Sequence, residues 1–345
     1  MEQKSFFSLL PEESLDIIHE FDTGKFRLKQ FYQWVYEKYV TDISLMTNLS
    51  LDFRNKIKDR IGFQLPEVET EFKSKDESSK YLLKLHDNSH IEMVIMPGEG
   101  KNTVCISSQV GCSRKCTFCA TGTMGLRRNL FVDEIVGQVY LAKKLLLPGS
   151  LTNIVFMGMG EPLDNYDNLI KAIQIIESDP GMKFSPRHIT VSTCGVIPNI
   201  RRLGNSGIKV KLAVSLNSAI EEIRNKIMPV NRVYSLNELK KSLLDFRKRT
   251  TFRITYEYIM IPEFNMSDAD IKAIYKFLGD QSCKLNLIAF NPVKGLPYRS
   301  PEPSEIERFM NSLNDLKIAV ILRKSRGSDV SAACGQLAAG YTNKN

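Results

Sequence analysis

Cys112, Cys116 and Cys119 form a CxxxCxxC triplet. Three thiolates so close in sequence can converge on one soft-metal site. A closed zinc or iron–sulfur site ordinarily takes four protein ligands, yet the next Cys or His after Cys119 is His188. Three ligands leave one coordination position open, which is the mark of a reactive site. Chance clustering, or a zinc site completed by a distant cysteine, are the alternatives. Of the other cysteines, Cys194 and Cys283 read as buried small hydrophobes, the usual fate of a free thiol. For Cys105, in the run TVCISS, the same reading is the bland alternative. Cys334 differs, because Ala332, Ala333, Gly335 and Gln336 surround it and such small neighbours permit close approach by a ligand.

Further candidate groups sit where apolar runs end. Gly158, Gly160 and Glu161 end the run NIVFMGM. Glycines there let backbone approach a ligand, and a carboxylate beside them can accept from an ammonium group. A plain strand-to-helix turn is the bland alternative. Ser192 and the triple Ser215-Leu216-Asn217 end the next two runs, where each could equally be a turn or cap residue. Glu92 lies in HIEMVIM, where alternation alone predicts a solvent-facing carboxylate.

The elements that must position these residues are legible as changes of period. Residues 1–70 read as a small helical module, with Phe26, Leu28, Phe31, Trp34 and Val35 at helical spacing. The polar stretch 70–80 reads as a linker, and 81–86 with 90–96 as a β-hairpin, so residues 71–102 join the module to the rest. Strand candidates follow at 103–108, 153–159, 188–194, 209–216, 253–261, 284–290 and 317–323. Helix candidates lie between them at 132–146, 168–178, 235–249, 268–279 and 303–315. Repeated βα units with apolar strands predict an α/β fold, a parallel sheet covered by helices over residues 103–345. In such folds the chemistry collects at the carboxyl ends of the strands.

Composition bounds the function. The chain has 345 residues, 43% of them hydrophobic and 25% charged, with a mean hydropathy of −0.19. That excludes wholesale disorder and a polytopic membrane protein, and no apolar run is long enough to span a bilayer. A cytoplasmic location, with no membrane partner, is expected. The formal charge is +8, and it is uneven: residues 1–70 carry −3 and residues 71–345 carry +11. A basic main domain fits an anionic partner such as nucleic acid. The pairs Arg114-Lys115, Arg127-Arg128, Arg201-Arg202, Arg247-Lys248-Arg249 and the run Arg323 to Arg326 are candidates for phosphate contacts, with Arg127-Arg128 and Arg323 to Arg326 favoured.

The triplet, with Phe118 just before its last cysteine, resembles the radical S-adenosylmethionine (SAM) enzymes. Five ordered blocks are closer still to one of their families: SSQVGCSRKCTFCATG (107–122), FMGMGEPLDN (156–165), STCGVIP (192–198), NLIAFNP (286–292) and RKSRGSDVSAACGQL (323–337). Together with Phe26, Arg27, Gln30 and Trp34 near the start, they resemble the RlmN family of dual-specificity 23S rRNA and tRNA adenine-C2 methyltransferases. The resemblance implies a partial (βα)6 barrel behind a small N-terminal RNA-recognition domain. It implies one 4Fe–4S cluster on Cys112, Cys116 and Cys119, with SAM completing the fourth iron. Gly160, Glu161, Ser192, Ser215, Leu216, Asn217 and Asn291 fall at SAM-binding positions. Asn217 departs from the usual His, which leaves its side-chain role open.

In the family a cysteine matching Cys334 is methylated and carries the carbon to RNA, the position of Cys105 resolves the adduct, and Glu92 matches the proposed proton acceptor. Adenine C2 is electrophilic, so direct attack on a SAM methyl is disfavoured. The resemblance therefore implies two SAM molecules per turnover, reductive SAM cleavage, a covalent RNA adduct and a transient 105–334 disulfide. It also implies an electron donor and a monomeric enzyme. Two rivals stand beside this reading. One is the sister Cfr family, which methylates adenine C8, although Val110, Lys324 and Arg326 look more like the C2 enzyme. The other is a non-enzymatic, metal-dependent RNA-binding protein.

Overall fold

The computed structural model describes residues 3–21 and 25–338. Its N-terminal module holds helices Pro11–His19, Lys25–Tyr32 and Leu51–Lys58, and strand Lys4–Ser5 pairs in parallel with Ile61–Gly62. Local chemistry starts these helices. Pro11 occupies a first turn where its missing N–H is not needed, and the Ser50 hydroxyl accepts from the Phe53 N–H at 3.3 Å. Phe6, fully buried, is the hub, with its ring centroid 5.1 Å from Phe31, 4.9 Å from Tyr32 and 5.6 Å from Phe63. Phe6→Ala should cost about 3–5 kcal/mol of stability, as large aromatic truncations in cores do. Denaturant unfolding would measure it, and a loss below about 1 kcal/mol would show that the hub collapses around the gap.

The module is no tethered appendage. Phe7 and Tyr39 stack at 4.8 and 5.5 Å on Tyr140 of helix Val132–Leu145. Lys171 reaches Glu13 at 2.8 Å, and Gly137 lacks the Cβ that would strike the Pro66 ring. The polar stretch expected to be a linker is instead largely strand: Glu67–Lys73 pairs with Ser79–Lys84. Its side chains are almost all exposed, so no hydrophobic alternation announced it.

One ten-stranded sheet organises the rest. Its strands are β1 (Glu67–Lys73), β2 (Ser79–Lys84), β3 (His90–Met96), β4 (Thr103–Cys105), β5 (Asn153–Phe156), β6 (Ile189–Thr193), β7 (Lys211–Ser215), β8 (Ile254–Met260), β9 (Cys283–Ala289) and β10 (Ala319–Arg323). They lie side by side in chain order. β1 to β4 pair antiparallel, and β4 to β10 are all parallel. Six crossovers link the parallel strands through helices Val132–Leu145, Tyr166–Glu177, Ile197–Asn205, Leu236–Arg247, Asp268–Leu278 and Pro303–Asn311. This is the partial (βα)6 barrel, extended on its β4 side by the antiparallel strands.

Capping boxes at Ser235/Glu238 and Ser267/Asp270 start two of these helices. Helix Ile197–Asn205 escaped the pattern reading because it is short, opens with Pro198 and buries only Ile197, Ile200 and Leu203. Among the described residues no helix is long and apolar enough to cross a membrane.

Candidate functional site

The three clustered cysteines sit on the loop beyond β4. Strand Gln109–Gly111 pairs with Leu126–Asn129 and turns at Gly111, whose φ is +80° and where any Cβ would collide with the Gly125 carbonyl. The loop is pinned by Cys112 N–H to Gly125 O (2.9 Å), Cys119 N–H to Cys116 O (3.2 Å) and Thr117 N–H to Ile227 O (3.0 Å). Burial pushes the Cys112 thiol up to about 12 and raises Cys116 and Cys119 as well. A coordinated metal reverses this by taking the thiolate form outright.

All three cysteines face one cavity of about 150 Å³ at the carboxyl ends of the strands. Gly158, Gly160, Glu161, Ser192, Ser215 and Asn217 face it too. The donor set fits an iron–sulfur cluster. It offers three thiols, from one short loop, on a shared pocket. A cubane presents its irons at separate corners and takes one thiolate at each.

Each remaining candidate has a definite place. Glu161 is buried, accepts from the amides of Cys194 (2.7 Å) and Leu163 (3.1 Å), and has its carboxyl raised by burial. Gly160, at φ +101°, has no room for a Cβ against Gln109. Asn217 adopts φ +53°, a region Asn tolerates better than most residues. Its amide is spent on structure: Oδ1 accepts from Ile259 N–H at 2.9 Å and Nδ2 lies 3.3 Å from Met228 Sδ. Leu216 does not line the cavity; it is fully buried and its N–H donates to Glu257 O at 2.9 Å. Asn291 is also absent from the lining and instead donates to Cys334 O at 3.3 Å.

Cys334 comes from the other end of the chain. Its segment is tied to the cysteine loop by Ala120 N–H to Gly335 O (2.7 Å) and Thr121 Oγ1 to Leu337 O (2.6 Å). Cys334, Arg323, Met157 and Ile288 form a wall shared with a second cavity of about 50 Å³ that Cys105 also lines. Burial, then the neighbouring Cys334, pushes the Cys105 thiol up to about 12. Cys334 is exposed; the protein packed around its sulfur still raises the thiol, and Arg323 pulls the other way. Arg323 pairs with the buried Glu257 at 3.4 Å, and Asn286 donates to Glu257 at 3.0 Å. Arg323, 34% exposed, therefore holds its charge on the wall of both cavities. The sequence pattern missed Glu257, since TYEYI reads as an ordinary strand and only its register opposite Ser215 and Asn286 exposes its setting.

Glu92 departs from the solvent-facing expectation. It is 3% exposed, pairs with Lys80 at 3.0 Å and accepts from the Ala338 N–H at 2.8 Å. It lines neither cavity. Several basic candidates are likewise committed. Arg114 grips Asp164, with one contact at 2.6 Å; Arg128 bridges Asp87 and Glu134; and Arg202 pairs with Asp167 and lies over the Tyr166 ring. Arg127 remains exposed.

Comparison with known proteins follows this geometry closely. Residues 106–278 match the Radical SAM superfamily, and residues 11–62 match the ribosomal RNA large subunit methyltransferase N-terminal domain. A dual-specificity RNA methyltransferase RlmN from Geobacter sulfurreducens is 43% identical over 94% of this chain and 90% of its own length. One from Nautilia profundicola is 39% identical over the full length of both chains. The crystal structure of a radical SAM methyltransferase from Sphaerobacter thermophilus superposes with a TM-score of 0.93 at 37% identity, covering 97% of this chain and 99% of that one.

Proposed function

Since the chain belongs to the RlmN family of dual-specificity RNA methyltransferases, we propose that this radical SAM enzyme forms 2-methyladenosine in 23S rRNA and in tRNA. Cys112, Cys116 and Cys119 would hold one 4Fe–4S cluster, and Gly160, Glu161, Ser192, Ser215 and Asn217 would receive SAM. When bound, these groups would supply one-electron cleavage of SAM, the methyl carbon, and the acceptor for the electron given up as the C2 proton is lost. The residues of the chain do the rest. Cys334 carries the methyl carbon to adenine C2, and Glu92 takes the C2 proton. The Cys105 thiolate then attacks the Cys334 sulfur; an S–S bond forms as the Cys334 S–C bond breaks, and the carbon leaves with the electron pair and takes up a proton as the methyl group of the base.

The observation that supports this reading is that Cys334 and Arg323 wall both cavities, with the cysteine triplet on one side and Cys105 on the other. The Cys105–Cys334 disulfide would be transient in a reducing cytoplasm and need a dithiol reductant. The Ala338 N–H and Lys80 Nζ each hold one Glu92 oxygen and would orient the carboxylate, leaving a second lone pair on each oxygen for the proton. The N-terminal module, packed on the helix bearing Tyr140, would present its surface to RNA by shape, as its charge of −3 gives phosphates little to hold.

Mass spectrometry of 23S rRNA and tRNA from a strain lacking the gene, before and after incubation with reconstituted protein, SAM and reductant, tests the assignment. We expect a new methyl on adenine C2. A methyl at C8 would move the chain to Cfr-like chemistry, and SAM left intact under reduction would leave only a binding protein.

A further inference from the structure

Among the described residues the largest fully buried side chain is charged: Arg224, 1% exposed, beside the cysteine cavity. A buried guanidinium ordinarily faces a carboxylate, because an unpaired charge away from water is costly. Arg224 does not. Nε donates to Leu216 O at 3.0 Å, Nη1 to Asn231 Oδ1 at 2.7 Å, and Nη2 to Cys194 O at 2.7 Å and Ser215 O at 3.0 Å. Every one of these acceptors is a neutral oxygen. Gly195, with φ +112°, lies beside it, and a Cβ there would crowd Leu239 at 3.2 Å. The nearest counter-charge in this network, Glu221, is one step removed, accepting from Asn231 Nδ2 at 2.7 Å. Arg114, on the same cavity, contrasts with this: it is gripped by Asp164.

The position of the cation is as informative as its isolation. Arg224 joins the carboxyl ends of β6 and β7, the strands that bring Ser192, Cys194 and Ser215 to the cavity. The helix Glu221–Ile227 that carries it also holds the cysteine loop, through Ile227 O and Thr117 N–H at 3.0 Å, next to Cys116. Burial pulls the guanidinium downward. Arginine keeps its proton even so.

We propose that Arg224 is a positioning residue that braces the SAM-facing strand ends and supplies the standing positive charge that makes the neighbouring 4Fe–4S cluster easier to reduce. This rests on the assignment of the cluster to Cys112, Cys116 and Cys119. Three thiolates already bring negative charge into the cavity, and reduction adds one more. A fixed cation in a poorly polarisable setting stabilises the reduced form more than the oxidised one, and charge near the cluster is one of the terms that set its potential. Four neutral oxygens hold the guanidinium in place without cancelling it, as a carboxylate would.

The test is the midpoint potential of the reconstituted full-length protein, followed by electron paramagnetic resonance during a redox titration. Arg224→Gln should shift the reduced-to-oxidised ratio at a fixed potential about tenfold toward oxidised, which is about 59 mV for a one-electron couple. Arg224→Lys, which keeps the charge but loses the fork, should titrate closer to the parent protein while its KM for SAM rises. Glu221→Gln can still accept from Asn231 and removes the remote counter-charge, so its midpoint should move the opposite way. If Arg224→Gln folds, loads its cluster and titrates as the parent does, the proposal falls. If Arg224→Gln does not load, Glu221→Gln decides, and an unmoved midpoint there overturns it. A parent protein that takes up no cluster would instead remove the cofactor assignment itself.

Discussion

Cys105→Ala should arrest the enzyme with RNA covalently attached. Cys105 lines the small cavity with Cys334 and is 8% exposed, so no water or bulk thiol has easy access to its place. Without its sulfur the carbon–carbon bond to adenine can form, but nothing stands ready to cleave the Cys334–carbon link. A nuclease-sensitive band shift on a denaturing gel should appear, and turnover should fall below detection. Cys334→Ala should show no such band, because the methyl carrier is gone, and the double variant should behave like Cys334→Ala. Were Cys105 only a core residue, the change would lower stability by about 1–2 kcal/mol, the low end for large-to-small substitutions, and spare chemistry. A Cys105→Ala protein that turns over and carries no RNA would return the residue to that structural role.

The pH dependence of the same step follows from the Cys105 thiol, which burial pushes up to about 12. The attacking species is the thiolate. Its fraction therefore rises about tenfold per pH unit until the pH nears that value. In single-turnover experiments that begin from the adduct, release should accelerate as pH rises. A flat profile would mean that another step limits release.

Single Ala substitutions at Cys112, Cys116 and Cys119 should each abolish RNA methylation and SAM cleavage. A cubane needs a thiolate at each of three irons for SAM to take the fourth, and the other two thiols on the cavity, Cys194 and Cys334, come from separate elements rather than from this loop. Anaerobic reconstitution followed by iron analysis and electron paramagnetic resonance would measure this. Each variant should lose the SAM-responsive signal and hold sub-stoichiometric iron. The folded chain should survive, since the loop keeps its backbone bonds at Cys112, Thr117 and Cys119. Three variants that all retain a full, SAM-responsive cluster would break the assignment.

The sequence by itself determined the chemistry-bearing parts and the order of the scaffold. The cysteine triplet, the apolar runs and five of the six crossover helices are local patterns, each set by its own spacing, and the sheet then takes its strands in chain order. Gly160 also announced a close backbone approach, whereas the positive φ of Asn217 came only with the structure.

What only the tertiary structure decided is how residues far apart in the chain are charged, paired and buried. Glu92 alternates like a surface residue, but Lys80 from β2 and the segment beyond Cys334 enclose it. Arg323 looks like one more basic residue in a run, until parallel register sets β10 beside β9, within reach of the carboxylate of Glu257 on β8. Arg224 sits in an unremarkable helical stretch, and its isolation appears only when the ends of β6 and β7 close over it. The physical reason is common to all three. Period and propensity act over a few residues along the chain, whereas burial and electrostatic partnership depend on which strands lie side by side.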